Sequence, residues 1–189
     1  MRKAILKIKL YRPQRLIDSL FEIHQEFSEP FWQHDRIFVP RGYSRDKSVP
    51  RISLRTIVRD PKTEAQYVLV MRRHFSKTGL DVVNATEVKD YTETAHILYQ
   101  LGYELKAEVS RRRRELILGN SVRFFIDTVD GLPGNYAKIE ADLREGEDID
   151  DAIKDLIETF AALGFKKITP IKQTYGELIE SSEHDTIVG

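Results

Sequence analysis

Several segments of the chain alternate apolar and charged residues with a period of two, and this alternation restricts the fold more than any other feature. Residues 4–10 (AILKIKL) place apolar side chains on one face and the lysines on the other. Similar alternation occurs in residues 51–59, 107–118, 121–129 and 136–142. Because strand side chains point alternately to two faces, the pattern indicates strands with one packed face and one charged face.

Turn residues join these strands into antiparallel hairpins. A turn at residues 60–62 precedes a return strand over residues 65–72, and Gly119-Asn120 separates the next two long strands. Short reversals of this kind connect antiparallel neighbours. Further strands are predicted near residues 35–39, 82–88 and 166–171.

Helical periodicity occurs in fewer places. Apolar spacing predicts helices over residues 13–27, 90–101 and 147–163, with a short helix over 174–181. This arrangement is typical of an α+β fold, here a closed or nearly closed antiparallel eight-stranded β-barrel with about three flanking helices. Residues 1–181 are predicted to form this single domain, and residues 182–189 a disordered tail.

Composition narrows the range of functions. The 30 lysine and arginine residues balance 30 aspartate and glutamate residues, so no overall positive field attracts nucleic acid. The chain has no cysteine, which excludes disulfides, thiolate metal sites and a cysteine nucleophile. No apolar window reaches the roughly 18 residues of a membrane span. We therefore expect a cytoplasmic protein with no membrane partner. The sequence is compatible with a homodimer.

Strand parity gathers basic residues on single faces. In residues 107–118, Arg111 and Arg113 point to one side, while Arg112 and Arg114 point to the other. An external charged face is merely solvated, whereas one inside a barrel needs a compensating anion. Phosphate oxygens suit this role because arginine contacts them as a bidentate fork and lysine as a point charge. Parity alone does not decide which way the faces point.

Ordered sequence motifs add a family resemblance. The runs RRELILG from Arg113, FIDTVDGL from Phe125 and YAKIE from Tyr136 resemble the CYTH superfamily. That superfamily includes class IV adenylyl cyclases, thiamine triphosphatases and triphosphate tunnel metalloenzymes. The resemblance implies an eight-stranded antiparallel tunnel that binds a triphosphate through basic residues and holds divalent metal ions on paired glutamates.

The basic half of the implied site is retained. By resemblance, the phosphate-contacting positions correspond to Lys7, Arg55, Arg72, Arg111, Arg113 and Lys172. Strand parity adds Lys9, Arg123 and Lys138 as further phosphate-binding candidates. The implied partner is a triphosphate-containing small molecule or polyphosphate.

The acidic half departs from the family pattern. The two glutamates expected on the first strand fall on Lys3 and Ile5, and an expected Glu-x-Glu begins with Lys138. An acidic pair expected on another strand falls on Val83 and Ala85. These replacements favour anion binding and repel cations.

Three carboxylates remain as candidate metal ligands. Asp127 and Glu140 could hold one Mg²⁺ or Mn²⁺ ion together with substrate phosphates, and Glu87 could join them if its strand register slips. A catalytic pair of metal ions, in contrast, would need more carboxylates than these. The sequence therefore predicts a site that binds phosphates better than it converts them.

Three functional hypotheses follow. The first is a binding module that holds a nucleotide, inorganic polyphosphate or another polyanion in a basic tunnel. The alternative is an enzyme, either a divergent triphosphatase or a class IV-type adenylyl cyclase that uses one divalent metal ion. A third hypothesis is a scaffold with external charged faces, on which the run Arg111–Arg114 contacts nucleic acid. The zero net charge and the lack of interleaved aromatic residues count against the scaffold.

Overall fold

The computed structural model describes residues 2–43, 49–75, 80–119, 122–165 and 167–187. The strands are β1 (Arg2–Leu10), β2 (Phe31–Pro40), β3 (Arg51–Val58), β4 (Gln66–Phe75), β5 (Leu80–Glu87), β6 (Tyr103–Leu118), β7 (Val122–Val129) and β8 (Asn135–Asp142). The helices are α1 (Pro13–Phe21), α2 (Tyr91–Gln100), α3 (Ile149–Ala162) and α4 (Tyr175–Ile187).

The eight strands pair antiparallel and close into a ring in the order β1-β5-β4-β3-β2-β6-β7-β8, called the barrel below. Seven of the seams are long, but the seam between β1 and β5 consists of two described residue pairs, Arg2 with Val82 and Lys3 with Asp81. This topology confirms the predicted closed or nearly closed antiparallel eight-stranded barrel.

The apolar faces of β1, β7 and β8 point outward and are covered by α1 and α3. Leu6 and Ile8 pack with Phe124 of β7 and with Leu156 and Phe160 of α3 in one buried cluster. The rings of Phe124 and Phe160 meet edge to face, with centroids 5.9 Å apart. Because these outer faces lie under helices, the charged faces of the same strands turn toward the barrel interior.

The other two helices cover the second half of the barrel. Leu98 of α2 packs on Phe38 of β2 on the outer surface. Tyr175 of α4 instead packs with Val129 and Tyr136, whose side chains are on the inner face, so α4 lies over one opening of the barrel. Within the described residues, no helix has the length and apolarity that crossing a membrane requires.

The first helix is shorter than predicted: α1 ends at Phe21, and its predicted extension to residue 27 is wrong. His24 adopts a left-handed φ of 57°, and the Gln25 N–H donates back to the Leu20 carbonyl at 2.9 Å. This is the geometry of a Schellman-type helix end, which glycine usually marks. With histidine at that position, the sequence carried no stop signal.

The predicted strand over residues 166–171 is also wrong for residues 167–171, which are irregular, and residue 166 lies outside the described residues. One backbone bond, from the Ile171 N–H to the Lys7 carbonyl at 2.7 Å, ties this segment to β1. The described pairs between β1 and β5 end at Lys3, and beyond them the segment meets β1 through this one bond without extending into a strand.

The end of the chain differs from prediction as well. Residues 182–187 continue α4 where a disordered tail was expected, and residues 188–189 lie outside the described part. No glycine or proline occurs between Glu177 and Ile187. The packing of Tyr175 fixes the first turn of α4, and no glycine or proline then interrupts the helix.

Candidate functional site

The inner face of the barrel carries most of the predicted phosphate-binding residues. Lys7, Arg111 and Arg113 are buried, with relative exposures of 8%, 5% and 3%. The side chains of Lys138 and Arg55 are 13% and 24% exposed. Strand register places Arg72 on the same face, as a direct neighbour of Arg51 and Val83. The basic faces therefore point inward.

Four other predicted site residues lie at the margins or outside. Arg123 is half-buried near the start of β7, and Lys9 is half-buried near the end of β1. Lys172 is exposed in the segment before α4. Glu87 is exposed at the end of β5, where the Gln66 amide donates a hydrogen bond to its carboxylate. The structure brings neither Lys172 nor Glu87 into the buried group of charges.

Asp35 of β2 forms the first of three buried ion clusters. The Arg55 guanidinium contacts both carboxylate oxygens, at 2.7 and 3.3 Å, and Arg111 also donates to Oδ2. The Gln33 amide nitrogen lies 3.1 Å from each oxygen. Burial alone would raise the pKa of Asp35, but the two arginines hold it well below its usual range. Two predicted phosphate-binding arginines thus share one internal carboxylate.

Asp127 of β7 forms the second cluster and is completely buried. Arg113 donates to its two oxygens through Nε and Nη2 at 2.6 and 2.7 Å, which is a bidentate pair. The Tyr175 hydroxyl donates to Oδ2 at 2.8 Å. Although burial acts in the opposite direction, Arg113 lowers the pKa of Asp127 to about 2. Asp127 is therefore ionised, and its carboxylate accepts three hydrogen bonds.

Glu140 of β8 forms the third cluster, with two lysines. Lys3 Nζ lies 2.9 Å from Oε2, and Lys138 Nζ lies 2.6 Å from Oε1. Lys3 also approaches Asp142 at 3.4 Å, and Asp142 in turn pairs with Arg123 at 3.4 Å. Burial opposes ionisation, but the two lysines hold the pKa of Glu140 well below its usual value.

The segment around the start of α4 contributes further oxygen atoms to inner cations. Lys7 Nζ donates to the Gln173 carbonyl and lies 4.4 Å from the centroid of the Tyr175 ring. Arg51 Nη2 lies 3.2 Å from Glu177 Oε1. A cavity of about 350 Å³ beside these contacts is lined in part by Arg51, Gln173 and Glu177. The C-terminal segment thus closes one opening by coordinating cations of the barrel.

Cations outnumber carboxylates in what we call the inner charge cluster. Its seven basic residues are Lys3, Lys7, Arg55, Arg72, Arg111, Arg113 and Lys138. Among the described side chains, its three acidic residues are Asp35, Asp127 and Glu140, while the adjoining Asp142 is paired with Arg123. The excess is four positive charges when every lysine is protonated. Among the described residues, Arg72 has no hydrogen-bond or ion-pair partner.

This positive excess acts on the two central lysines. Burial and the nearby Arg72 lower the pKa of Lys7 to about 8. Burial, Arg113 and Arg72 lower the pKa of Lys138 to about 7, despite the opposing effect of Glu140. Both ammonium groups therefore lie in a desolvated and positive environment, which a bound anion would relieve.

The acidic residues do not fit a divalent metal ion. Both oxygens of Asp127 accept from Arg113, and both oxygens of Glu140 accept from lysines, so a divalent ion at either carboxylate would lie beside buried positive charges. In the described part of the chain, no group of three or more histidine, aspartate or glutamate residues could hold a metal ion. Glu87, the third candidate ligand, is exposed.

Sequence reasoning missed several members of the site. Lys3 was named as a replacement that favours anion binding but not as a phosphate-binding residue, since the predicted strand began one residue after it. Asp35 was counted as a strand residue without a role, because β2 was predicted to start there and its partner Gln33 lay outside. For Tyr175, whose hydroxyl reaches Asp127, no sequence signal indicated the contact.

Comparison with protein-family models gives the class of the protein. The CYTH domain model matches residues 5–175. This chain belongs to the CYTH family, which confirms the resemblance in its sequence motifs. No curated protein sequence matches the chain at a significant level.

Solved structures share the fold. The PH1819 protein from Pyrococcus horikoshii OT3 is similar with a TM-score of 0.77 and 19% identity, over 95% of this chain and 98% of that one. A candidate adenylate cyclase from Vibrio parahaemolyticus has a TM-score of 0.77 and 14% identity, over 94% and 97%. HpAC1 from Hippeastrum, which has a dominant triphosphatase activity, has a TM-score of 0.61 and 14% identity, over 96% of each chain.

Proposed function

We propose that this protein binds a triphosphate- or polyphosphate-bearing anion inside the barrel, with weakened metal-dependent chemistry. The observation that carries the proposal is the excess of four positive charges in the inner charge cluster. Unpaired charges in a poorly solvated interior are unfavourable unless a counter-charge is present. Phosphate oxygens supply that charge and match the donors of lysine and arginine.

The distribution of the cations favours a chain of phosphates over a single phosphate. The basic residues of the cluster come from β1, β3, β4, β6 and β8, which together surround the interior. A linear polyphosphate can contact several of these strands at once, whereas one phosphate group contacts few. We infer a ligand with at least two linked phosphate groups.

The internal ion pairs favour binding over turnover. A triphosphatase or cyclase that uses one metal ion would need a carboxylate that is not already neutralised, whereas Asp127 and Glu140 are each ion-paired with buried basic side chains. The scaffold hypothesis is disfavoured for a different reason: Arg111 and Arg113 are buried and unable to contact an external macromolecule. Arg112 remains as an exposed outward residue.

Calorimetric titration at pH 7 in EDTA tests the proposal. We expect tripolyphosphate to bind with a Kd of about 10 μM or lower, and orthophosphate to bind at least ~10-fold more weakly. Arg112→Met, which changes an outward arginine on β6, is the control and should leave the affinity unchanged. The absence of tripolyphosphate binding at a concentration of about 1 mM would reject the proposed function.

A product assay addresses the enzyme alternative. ATP, thiamine triphosphate and tripolyphosphate, each incubated with Mg²⁺ or Mn²⁺, should give product near the background rate. Metal-dependent product formation that is lost in Glu140→Gln would instead establish a metal-dependent enzyme and contradict the weakened chemistry proposed here.

A further inference from the structure

We propose that the ammonium groups of Lys3 and Lys138, both held on Glu140, form a fixed cationic subsite that replaces a divalent metal ion in contacting the phosphate chain. The inference rests on the proposed function and specifies how one part of that site works. These lysines would supply the positive charge that a bound divalent metal ion would otherwise supply.

In the subsite, the Glu140 carboxylate lies between two ammonium groups. Each oxygen of Glu140 contacts one ammonium group, Oε2 with Lys3 at 2.9 Å and Oε1 with Lys138 at 2.6 Å. The side chains of Lys3, Glu140 and Lys138 are 7%, 9% and 13% exposed. One carboxylate therefore holds two cations in place with little access for water.

The lysines occupy two of the positions at which the family resemblance implies glutamates. Strand register explains how replacements so far apart in sequence meet: Ile5 of β1 is the direct neighbour of Glu140, and Lys3 is the direct neighbour of Asp142. Lys138 precedes Glu140 by two residues and shares its face. The two lysines that stand in place of expected glutamates thus both contact Glu140.

Among the described side chains of the subsite, positive charges outnumber negative charges when both lysines are protonated. Lys3, Lys138, Arg123 and Arg72 provide four positive charges, while Glu140 and Asp142 provide two negative charges. Arg72 belongs to this group because it acts electrostatically on both Lys138 and Glu140. A phosphate group that enters the subsite therefore meets an excess of positive charge.

The same arrangement disfavours a metal ion. A dication placed near Glu140 would lie beside two ammonium groups that already use both carboxylate oxygens. Like charges at such distances repel strongly where water is scarce. A built-in cation and a bound divalent ion are therefore alternatives at this position.

Titration with MnCl₂ alone, followed by electron paramagnetic resonance, tests the inference without relying on activity. Wild-type protein should bind no Mn²⁺ at this position. Lys3→Glu/Lys138→Glu, which adds two carboxylates beside Glu140, should gain one Mn²⁺ site with an affinity at least ~10-fold above wild type. The control Lys89→Glu/Lys154→Glu makes the same change of net charge at two exposed lysines and should gain no such site.

Tripolyphosphate titrations separate failure of this inference from failure of the proposed function. In EDTA, we expect Lys138→Met to bind tripolyphosphate about tenfold or more weakly than wild-type protein does. This single variant also tests the inference if the double variant does not fold. A wild-type Mn²⁺ site that is lost in Glu140→Gln would overturn the inference. A folded double variant without a Mn²⁺ site, or an unchanged affinity in Lys138→Met, would also overturn it. Wild-type protein that does not bind tripolyphosphate at all would reject the proposed function itself.

Discussion

Lys7 of β1 and Lys138 of β8 are direct cross-strand neighbours on the inner face of the barrel. Burial is the largest cause of the lowered pKa of each lysine, and Arg72 lowers both further. With pKa values of about 8 and about 7, Lys7 and Lys138 titrate much closer to neutral pH than ordinary lysines do in the ligand-free protein. An anion beside them stabilises the charged forms, so ligand binding and proton uptake are linked.

The first prediction is that tripolyphosphate binding takes up protons near pH 7.5. Calorimetry in buffers with different ionisation enthalpies should give observed binding enthalpies that vary with the buffer and correspond to net uptake. Uptake should decrease in Lys138→Met. Binding enthalpies that are independent of the buffer would show that neither lysine changes its protonation.

The second prediction concerns the stability of the ligand-free protein. The folded-state pKa of Lys138 is about 7 and that of Lys7 about 8, compared with 10.5 for an ordinary lysine. Between these values the unfolded chain binds more protons than the folded protein, so the free energy of unfolding should rise from pH 7 to about pH 10. Above pH 10 the trend should reverse, because burial raises the pKa of Tyr175.

Urea unfolding at several pH values measures this dependence. Lys138→Met should show a smaller rise than wild type over the same range, because one of the two contributing groups is gone. A wild-type free energy of unfolding that falls steadily from pH 7 to pH 10 would contradict the assigned environment of the lysines.

The third prediction concerns the pair Arg113–Asp127. Arg113→Met should destabilise the protein by about 3–5 kcal/mol, because it leaves the completely buried Asp127 carboxylate without its bidentate partner. Arg113→Met/Asp127→Asn should recover much of this loss, since no uncompensated charge remains. Urea unfolding of the two single variants and the double variant gives the coupling energy, and additive effects would argue against the ion pair.

The fourth prediction separates binding from stability at Arg72. This residue lies on the inner face without an ion-pair partner among the described residues, so it should contribute to ligand binding more than to folding. Arg72→Met should weaken tripolyphosphate binding by about 1.5–3 kcal/mol, the range for hydrogen bonds to charged groups. The free energy of unfolding should stay the same or increase. Unchanged affinity would remove Arg72 from the proposed site.

The sequence predicted the fold well because its signals are local. Alternation in residues 4–10 and 136–142 placed the side chains on the correct relative faces. The predicted reversal at Gly119-Asn120 falls between the ends of β6 and β7, although residues 120–121 lie outside the described residues. Errors occurred where tertiary context decides. The end of α1 depends on a left-handed His24, and the segment after residue 166 meets β1 through one backbone bond instead of pairing along it.

The sequence predicted most of the basic residues of the site, but it did not predict which carboxylates they would pair with. Parity placed Arg55 and Arg111 on basic faces, but their shared partner Asp35 depends on the register of β2 against both β3 and β6. These strands are far apart in the sequence, so no local pattern indicates that pairing. The contact of Tyr175 with Asp127 likewise depends on where α4 docks.

The central claim is that the barrel interior holds a phosphate chain without a metal ion. A crystal structure of the protein with tripolyphosphate, grown in EDTA, tests it most directly. We predict phosphate density inside the barrel in contact with Lys7, Arg72 and Lys138. Density confined to the outer surface, around Arg112 for example, or phosphates bridged to Glu140 by a retained metal ion, would contradict the claim.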